Sequence, residues 1–427
     1  MGFIEMNILF LCHKIPYPPN KGDRIPTFYR MEYLAKKHNL HLVFPCYYKE
    51  EMDHLENLRK YSASIDTVYI NPTLAKAKSL ASLMSFKPLT LPYFYSSKLN
   101  DLVQKRILHD GIDLIYVFSS SMGQYVAEIS NVKKIMDFVD ADSHKWFQYS
   151  LHTVPPLSWV YYLEWKKMQR YEQKMARCFD HTISISTDEK ELFRSFIKDI
   201  KMSVVPNGVN LEYFKPQNEP FEPKRIVFVG AMDYHANVDA VLYFFRKIFP
   251  IIKDKEPDVE FYIVGSRPSP SILKLRKDKN VVVTGYVDDV RKYLNKACAA
   301  VVPLRIARGL QNKILEAMSA GVPVVTTSKG NEGINAKIGQ EIFVEDNPLL
   351  FANSVLTLMT DVQLRNSVAE KARVFVENNF NWESNLKYFE EILVGVYKNG
   401  SFPTLDVENE SILGVPRQGN VGRRRDA

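Results

Sequence analysis

The sequence predicts an α/β protein built from two doubly wound parallel sheets. Short runs of β-branched or aromatic residues alternate with helical patterns from end to end, and this pattern starts afresh in the second half. Residues 207–225 lie between the halves, are rich in Pro, Asn and Glu, and have no periodic apolar face. Because strands separated by helices pair in parallel through right-handed crossovers, we expect two Rossmann-like domains.

Twelve strands follow from the apolar runs. In the first half they are predicted at 7–12, 41–46, 67–70, 113–118, 134–139, 181–186 and 202–206. In the second half they are predicted at 225–230, 259–265, 280–285, 299–304 and 323–327. Helical patterns at 349–360, 362–379 and 382–398 close the second domain, and the last is long enough to cross back to the first.

These elements divide the 427 residues into two domains of ordinary size. We expect a first domain at 1–207, a second at 208–380, a crossing-back helix at 381–399 and a flexible tail at 400–427. Two such sheets facing each other leave a cleft at the carboxyl ends of their strands, where ligands usually bind. Candidate site residues should therefore follow the strands directly.

Composition points to a cytoplasmic protein. Hydrophobic residues make up 46% and charged residues 25%, which is ordinary for a folded α/β chain. Cys12, Cys46, Cys178 and Cys298 are far apart, which favours buried thiols in a reducing compartment over disulfides or a zinc site. The apolar runs are too short for a membrane span or a signal-peptide core.

Positive charge is concentrated in two stretches, 76–106 and 164–177, where aromatic residues are interleaved with Lys and Arg. Each stretch alone can be a solvated helix face with snorkelling lysines. The two together favour peripheral attachment to an anionic membrane, at the inner face of the plasma membrane. Nucleic acid is not expected as a partner, since no recognition motif accompanies the charge.

Two polar segments follow strands of the first half. After the first strand, Gly22 and Asp23 precede a helical pattern, an arrangement that can bind an anion but is also common as a purely structural turn. After the fifth strand, DADSHKW places Asp140, Asp142 and His144 at alternate positions. These side chains can bind sugar hydroxyls or accept a proton, or Asp142 can simply cap a helix.

The second half carries a further glycine and a cluster of cations. Gly230 follows a strand and either presents its amide to a phosphate or turns the chain. Arg305, Arg308 and Lys313 surround Gly309 and Leu310 before a predicted helix. Because a helix N-terminus disfavours cations, this cluster indicates a bound diphosphate, the alternative being exposed arginines in solvent.

Glu316 lies three residues after Lys313, on the same face of the predicted helix. A carboxylate there can accept hydrogen bonds from the vicinal hydroxyls of a ribose. The alternative is an ion pair with Lys313, worth only a few tenths of a kcal/mol.

Several motifs together resemble the retaining glycosyltransferases of family four, which have the GT-B fold. They are VVPNGVNLEYFKP at 204–216, the glycine turn after the first strand, and KILEAMSAGVPVVTT followed by GNEGI. YPPNKGD, DFVDADS and PLRIARGLQNKILEAM are also similar to bacterial sugar transferases associated with exopolysaccharide and exosortase (PEP-CTERM) gene clusters. The resemblance covers residues 6 to 398.

This resemblance implies transfer of a sugar from a nucleotide diphosphate sugar, with retention at the anomeric carbon, no required metal and no cofactor. The acceptor would be a lipid-linked or polysaccharide precursor. By position, Glu316 binds the donor ribose, Lys313 and the arginines neutralise the diphosphate, and Gly22 brings backbone towards the donor. Asp140 stands where family members often have a histidine, which puts a role for His144 in question.

The chain departs from the family at residue 308. The family pattern is a glutamate, seven residues, then a second glutamate, and counting back from Glu316 gives Arg308. The family's Arg and Lys pair is also replaced by MDYHAN at 232–237. We expect the positive charge to have moved to Arg305, Arg308 and Lys313, where it still stabilises the leaving group. A nucleotide-sugar 2-epimerase and a non-catalytic nucleotide-sugar-binding partner of an export complex are the alternatives.

Overall fold

The computed structural model describes residues 4–19, 22, 24–151, 153–217, 221–307 and 309–398. Contacts divide these residues into two compact units. The first unit comprises residues 4–213, 306–316 and 380–398, and the second comprises 214–305 and 317–379. The first division, after residue 213, falls within the segment predicted as a linker. The grouping of 306–316 with the first unit was not predicted.

The first unit contains a sheet of seven parallel strands in the order β3-β2-β1-β4-β5-β6-β7. These are β1 (Asn7–Cys12), β2 (Asn39–Cys46), β3 (Ser64–Tyr69), β4 (Leu114–Phe118), β5 (Lys133–Val139), β6 (His181–Ser184) and β7 (Met202–Val204). Ile8 pairs with Leu40 on one side and with Leu114 on the other, so the strand order reverses at β1. Both faces of β1 are buried, which explains its continuous apolar sequence.

Helices cover both faces of this sheet. They are α1 (Arg24–Leu34), α2 (Glu56–Arg59), α3 (Pro72–Ala81), α4 (Thr90–Phe94), α5 (Ser97–His109), α6 (Asp142–Leu151), α7 (Leu157–Cys178) and α8 (Thr187–Phe196). Shorter 3₁₀ turns span Lys49–His54, Ser82–Met84 and Ser120–Tyr125. The start of α3 shows why the sequence folds this way, since the Asn71 side chain accepts hydrogen bonds from the amides of Thr73 and Leu74.

The second unit contains six parallel strands in the order β10-β9-β8-β11-β12-β13. They are β8 (Glu222–Val229), β9 (Glu260–Val264), β10 (Val281–Gly285), β11 (Ala297–Val302), β12 (Val324–Thr326) and β13 (Phe343–Val344). Its helices are α9 (His235–Tyr243), α10 (Phe249–Lys255), α11 (Pro270–Leu273), α12 (Arg291–Leu294), α14 (Ser328–Asn331), α15 (Pro348–Thr360) and α16 (Val362–Asn379). A π-helical turn, Phe244–Ile248, joins α9 to α10, and a 3₁₀ turn spans Lys274–Lys277. Helix α13 (Asn312–Ser319) begins within residues 306–316.

The last helix, α17 (Trp382–Tyr397), belongs to the core of the first unit. The ring of Trp382 stacks on that of Tyr29 with centroids 4.6 Å apart, and Phe389 meets the edge of Tyr116 at 5.2 Å. A Cβ atom on Gly208 would lie 2.5 Å from the Trp382 ring, so the chain can pass this helix only with a glycine there. The predicted crossing-back helix is thus confirmed.

The predicted fold class is also confirmed, since both sheets are parallel and doubly wound. All twelve predicted strands are present, with ends displaced by no more than a few residues. The thirteenth, β13, was not predicted because two residues are too few to show a period. Within the part of the chain that the structure describes, no helix is both long and apolar enough to cross a membrane.

Candidate active site

A cavity of about 390 Å³ opens at the carboxyl ends of β1, β4, β5 and β7 in the first unit. Strand order reverses between β1 and β4, and such switch points are where open parallel sheets usually bind ligands. Four predicted site residues line this cavity, namely Gly22, Asp140, Gly309 and Leu310. Residues far apart in the chain therefore meet at one place in the fold.

Asp140 and Asp142 follow β5 and both line the cavity, as expected of residues at a strand end. Asp142 begins α6, and its Oδ2 accepts a hydrogen bond of 2.8 Å from the hydroxyl of Ser120. His144 is not among the described residues that line the cavity, and its ring stacks on Phe147 with centroids 5.7 Å apart. Of the three residues in the DADSH pattern, the two acids are therefore the ones placed for chemistry.

Two of the five described non-glycine residues with positive φ lie at the same cavity. Ser119 follows β4 with φ +82°, and Val139 ends the neighbouring β5 with φ +65°. Positive φ is uncommon outside glycine, is a genuine outlier for a β-branched residue, and costs about 1–3 kcal/mol. Both residues line the cavity. The surrounding fold therefore holds two adjacent strand ends in conformations that they would not adopt alone.

Gly309 lies against Asp140, the residue that directly follows β5. Its φ is +58°, and a Cβ atom at this position would overlap Oδ1 of Asp140. Gly22, by contrast, has open space where a Cβ atom would lie, with no described protein atom within 4 Å. Asp23 and Arg308, the other predicted residues of these two turns, lie outside the described residues.

Helix α13 begins three residues after Gly309 and carries Lys313 and Glu316, both half-buried. Burial lowers the pKa of Lys313 to about 8, and the nearby charge of Glu316 opposes this shift. Burial likewise raises the pKa of Glu316 to about 7, opposed by Lys313. Both groups are thus poorly solvated and titrate near neutral pH, and an anion bound at Lys313 would restore its full charge.

Arg305 is paired with a carboxylate that was not part of the predicted cation cluster. It lies in the second unit, where its guanidinium binds both carboxylate oxygens of Asp239 on α9, at 3.1 Å from Nε and 2.5 Å from the terminal nitrogen. The same group lies 4.7 Å from the ring centre of Tyr243. Its charge is paired within its own unit, and its predicted place beside Lys313 at a diphosphate stays a prediction.

Gly230 shows the structural one of its two predicted roles. Its amide donates to the carbonyl of Val264 at 3.0 Å, so the proposed phosphate donor is engaged within the sheet. A Cβ atom on Gly230 would lie 2.7 Å from the side-chain nitrogen of Asn237 on α9. The glycine is required here for close packing of the turn.

Several cavity residues were missed in the sequence. They are His13, Lys14, Lys145, Trp146 and Asn207. The ring of His13 stacks on Phe118, with centroids 5.9 Å apart and planes 7° from parallel. His13 and Lys14 directly follow β1, and Asn207, in the PNGV motif, follows β7. These three could have been found by considering every polar residue that follows a strand.

The sequence of the second unit is similar to a known family. Residues 223–361 match the family model described as "Glycosyl transferases group 1". The match covers about a third of the chain. The chain is 22% identical to an "Uncharacterized 44.6 kDa protein in cps region" of Klebsiella pneumoniae, over 88% of this chain and 96% of that protein. It is 25% identical to the Escherichia coli "UDP-Gal:alpha-D-GlcNAc-diphosphoundecaprenol alpha-1,3-galactosyltransferase", over 52% of this chain and 62% of that protein.

Solved structures place the chain in the GT-B fold. Sucrose-phosphate synthase from Thermosynechococcus elongatus superposes with a TM-score of 0.68 at 16% identity, covering 92% of this chain and all of that one. Anabaena HepE in complex with UDP superposes with a TM-score of 0.65 at 15% identity, covering 91% of this chain and 100% of that one. At these identities the likeness concerns the fold.

Proposed function

We propose that this protein is a glycosyltransferase that transfers a sugar from a UDP-sugar to a lipid-linked or polysaccharide precursor of a surface or extracellular glycan. Retention at the anomeric carbon and independence of a metal are part of the proposal. The observation that carries it is the meeting of Asp140 with Gly309, directly before the helix that bears Lys313 and Glu316. HepE binds UDP, and the name of the Escherichia coli relative includes a lipid-diphosphate acceptor, which supports the choice of substrates.

Each residue has a proposed chemical task. Glu316 accepts hydrogen bonds from the ribose hydroxyls, and Lys313 stabilises the negative charge that develops on the diphosphate as the sugar leaves. The amides around Gly309 and Leu310 approach the diphosphate, and Gly22 leaves room for the donor. Asp140 contacts the sugar or takes the proton from the attacking hydroxyl. Arg308 adds positive charge, whereas Arg305, paired with Asp239, is left out of the proposal.

Thermal denaturation with nucleotides tests the donor site. A ligand that binds only the folded state stabilises it by about 2.7 kcal/mol at a hundred times its Kd. We expect UDP and UDP-sugars to raise the Tm of the wild type, and Glu316→Ala to abolish the rise. A Tm that no nucleoside diphosphate or UDP-sugar changes would contradict the proposed donor.

Turnover separates the proposal from its alternatives. We expect slow release of UDP from UDP-glucose, UDP-galactose or UDP-N-acetylglucosamine without acceptor, and faster release with membrane extracts that contain glycolipid acceptors. Conversion of the donor to its 2-epimer without release of UDP would instead identify an epimerase. Tight UDP-sugar binding with no turnover under either condition would identify a non-catalytic binding partner.

The two basic stretches lie against each other in the first unit, which supports the proposed membrane contact. The carboxylate of Glu164 on α7 accepts hydrogen bonds from the amides of Leu89 and Thr90, at 2.7 and 3.0 Å. The ammonium of Lys167 donates to the carbonyl of Leu83 at 3.2 Å. These bonds fasten the segment after α3 to α7, although the stretches are far apart in sequence.

Apolar and basic side chains are exposed together along this joint. Phe86 is 96% exposed, and Trp159 in the first turn of α7 is 65% exposed. Phe86, Lys87 and Arg170 line a groove of about 660 Å³, and both cations are exposed. We propose that this surface holds the protein on anionic lipid at the cytoplasmic face of the membrane, where a lipid-linked acceptor would be reached.

A further inference from the structure

Three buried carboxyl groups surround the short segment that follows β5. The amide of Val139 donates to Asp137 at 3.1 Å, that of Ala141 to Glu189 at 2.8 Å, and that of Ser143 to Glu172 at 3.0 Å. The three acceptors are at most 4% exposed and come from β5, α8 and α7. Every second amide of residues 139–143 is therefore held by an acid from a different element.

The side chains of this segment alternate accordingly. Ala141 and Ser143 are each 1% exposed and point into the protein, whereas Asp140 and Asp142 line the cavity. The first amides of α6 are also capped by an unusual group. A helix that starts with Asp and Ser usually satisfies its first amides with those side chains. Here the distant Glu172 accepts the Ser143 amide, while the Asp142 carboxylate accepts from the hydroxyl of the buried Ser120.

Holding the segment in this way is costly, so fold stability alone does not explain it. Burial raises the pKa of Glu172 to about 8 and also raises the pKa of Asp137, because the interior disfavours their charged forms. The cost of burying the Asp137 carboxylate is partly offset by an ion pair with Arg30, whose guanidinium lies 2.6 Å away. Val139 adds the strain of its positive φ. Strain and buried acids of this kind concentrate at functional sites.

We propose that Glu172 and Glu189, with Asp137, are positioning residues that fix Asp140 and Asp142 at the cavity for sugar transfer. The inference rests on the proposed function and adds to it the groups that set the geometry of the acids. The side chains of Glu172 and Glu189 are held away from the cavity by these bonds and act on the donor only through the backbone they bind. A displacement of a reacting group by about 1 Å can cost on the order of a hundredfold in rate.

The test replaces each glutamate in two ways. Glu172→Leu and Glu189→Leu remove the acceptor at similar volume, whereas Glu172→Gln and Glu189→Gln keep an acceptor oxygen. We expect the Leu variants to lower kcat for UDP release, with the fastest of the three named UDP-sugars, by about 10- to 100-fold. KM for the donor and the UDP-binding stoichiometry should stay close to the wild type. The Gln variants should recover most of kcat.

Asp113→Leu is the matched control. Asp113 accepts the amide of Asn7 at 2.8 Å, at the opposite ends of β1 and β4. Its loss should lower the Tm and leave kcat per UDP-binding site unchanged. UDP titration counts the folded sites in every variant, so misfolding does not imitate a loss of kcat. Leu variants that bind UDP at full stoichiometry and turn over at the wild-type rate would overturn the inference.

Asp140→Asn, assayed alongside, separates this inference from the proposed function. Wild-type turnover in Asp140→Asn would remove the cavity from the reaction, and the proposed function with it. A large loss of turnover in Asp140→Asn, together with wild-type turnover in the Leu variants, would overturn the positioning role and leave the proposed function intact.

Discussion

The carboxylate of Asp140 lies against the backbone of Gly309, where a Cβ atom on residue 309 would overlap its Oδ1. Gly309 also has φ +58°, a conformation that other L-residues adopt only at a cost of roughly 1–2 kcal/mol. Two requirements for glycine therefore coincide at the contact between the segment after β5 and the turn before α13.

Gly309→Ala should lower kcat for UDP release from a UDP-sugar by at least about tenfold, because the added methyl group displaces Asp140. Gly339→Ala is the control, since Gly339 has φ +74° and open space where its Cβ atom would lie. Both variants should lose stability in thermal denaturation through the positive φ, and Gly309→Ala should lose at least as much as the control. Equal turnover in the two variants would show that the contact with Asp140 has no part in the reaction.

Binding of UDP-glucose should depend on pH through Lys313 and Glu316. Lys313, with a pKa of about 8, must be protonated to bind the diphosphate, so affinity should fall as the pH rises through 8. Glu316, with a pKa of about 7, must be ionised to accept ribose hydroxyls, so affinity should rise as the pH rises through 7. The maximum should lie between these values.

Calorimetric titration across this range tests both limbs. Lys313→Met should remove the decline above pH 8, and Glu316→Gln should remove the rise through pH 7, each with weaker binding at the maximum. UDP-glucose is the ligand of choice because its diphosphate lacks the terminal phosphate ionisation of UDP. A profile that is flat in the wild type would contradict both assignments.

Neutralising Lys76, Lys78, Lys87 and Lys98 to Gln should release the protein from vesicles of phosphatidylglycerol and phosphatidylcholine. Each basic residue near an anionic surface contributes about 1 kcal/mol, so the loss in affinity should reach roughly a thousandfold. Co-sedimentation measures it. The control changes four exposed lysines of the second unit by the same charge, namely Lys247, Lys277, Lys279 and Lys371. Equal binding by the two variants would count against the proposed surface.

Arg308→Glu restores the acid that the family resemblance places at this position. We expect a change in preference among UDP-sugars, or lower turnover because positive charge near the diphosphate is lost. Initial rates with UDP-glucose, UDP-galactose and UDP-N-acetylglucosamine measure both effects. Arg246→Glu, at an exposed position of the second unit, is the control for charge reversal. Wild-type rates with every donor would show that Arg308 has no role in the reaction.

The sequence predicted the elements of this fold well because parallel strands that are buried on both faces have continuous apolar sequences. The same periodicity gave the strand ends, and with them Asp140, Gly22 and Gly309. This periodicity does not predict contacts between residues that are far apart in the chain. Arg305 pairs with Asp239, which lies 66 residues earlier, and no local sequence pattern predicts that pair.

The positioning acids were missed for a related reason. Glu189 and Glu172 bind amides that lie 48 and 29 residues away. In the sequence each glutamate resembles an ordinary solvated position on a helix. Glu172 does carry a signal, because it falls with Met168 and Met175 on the buried face of α7. A charged residue in register with an apolar stripe marks a buried group that needs a partner.

The placement of α17 sets the order in which the protein can fold during translation. Phe389 and Leu393 complete the core of the first unit, yet the ribosome makes them after the second unit. At about 5–20 residues per second, the nascent first unit waits on the order of ten seconds or more for its last helix. During this interval the surface of Tyr116 that later contacts Phe389 is exposed. The first unit should therefore depend on chaperones more than the second unit does.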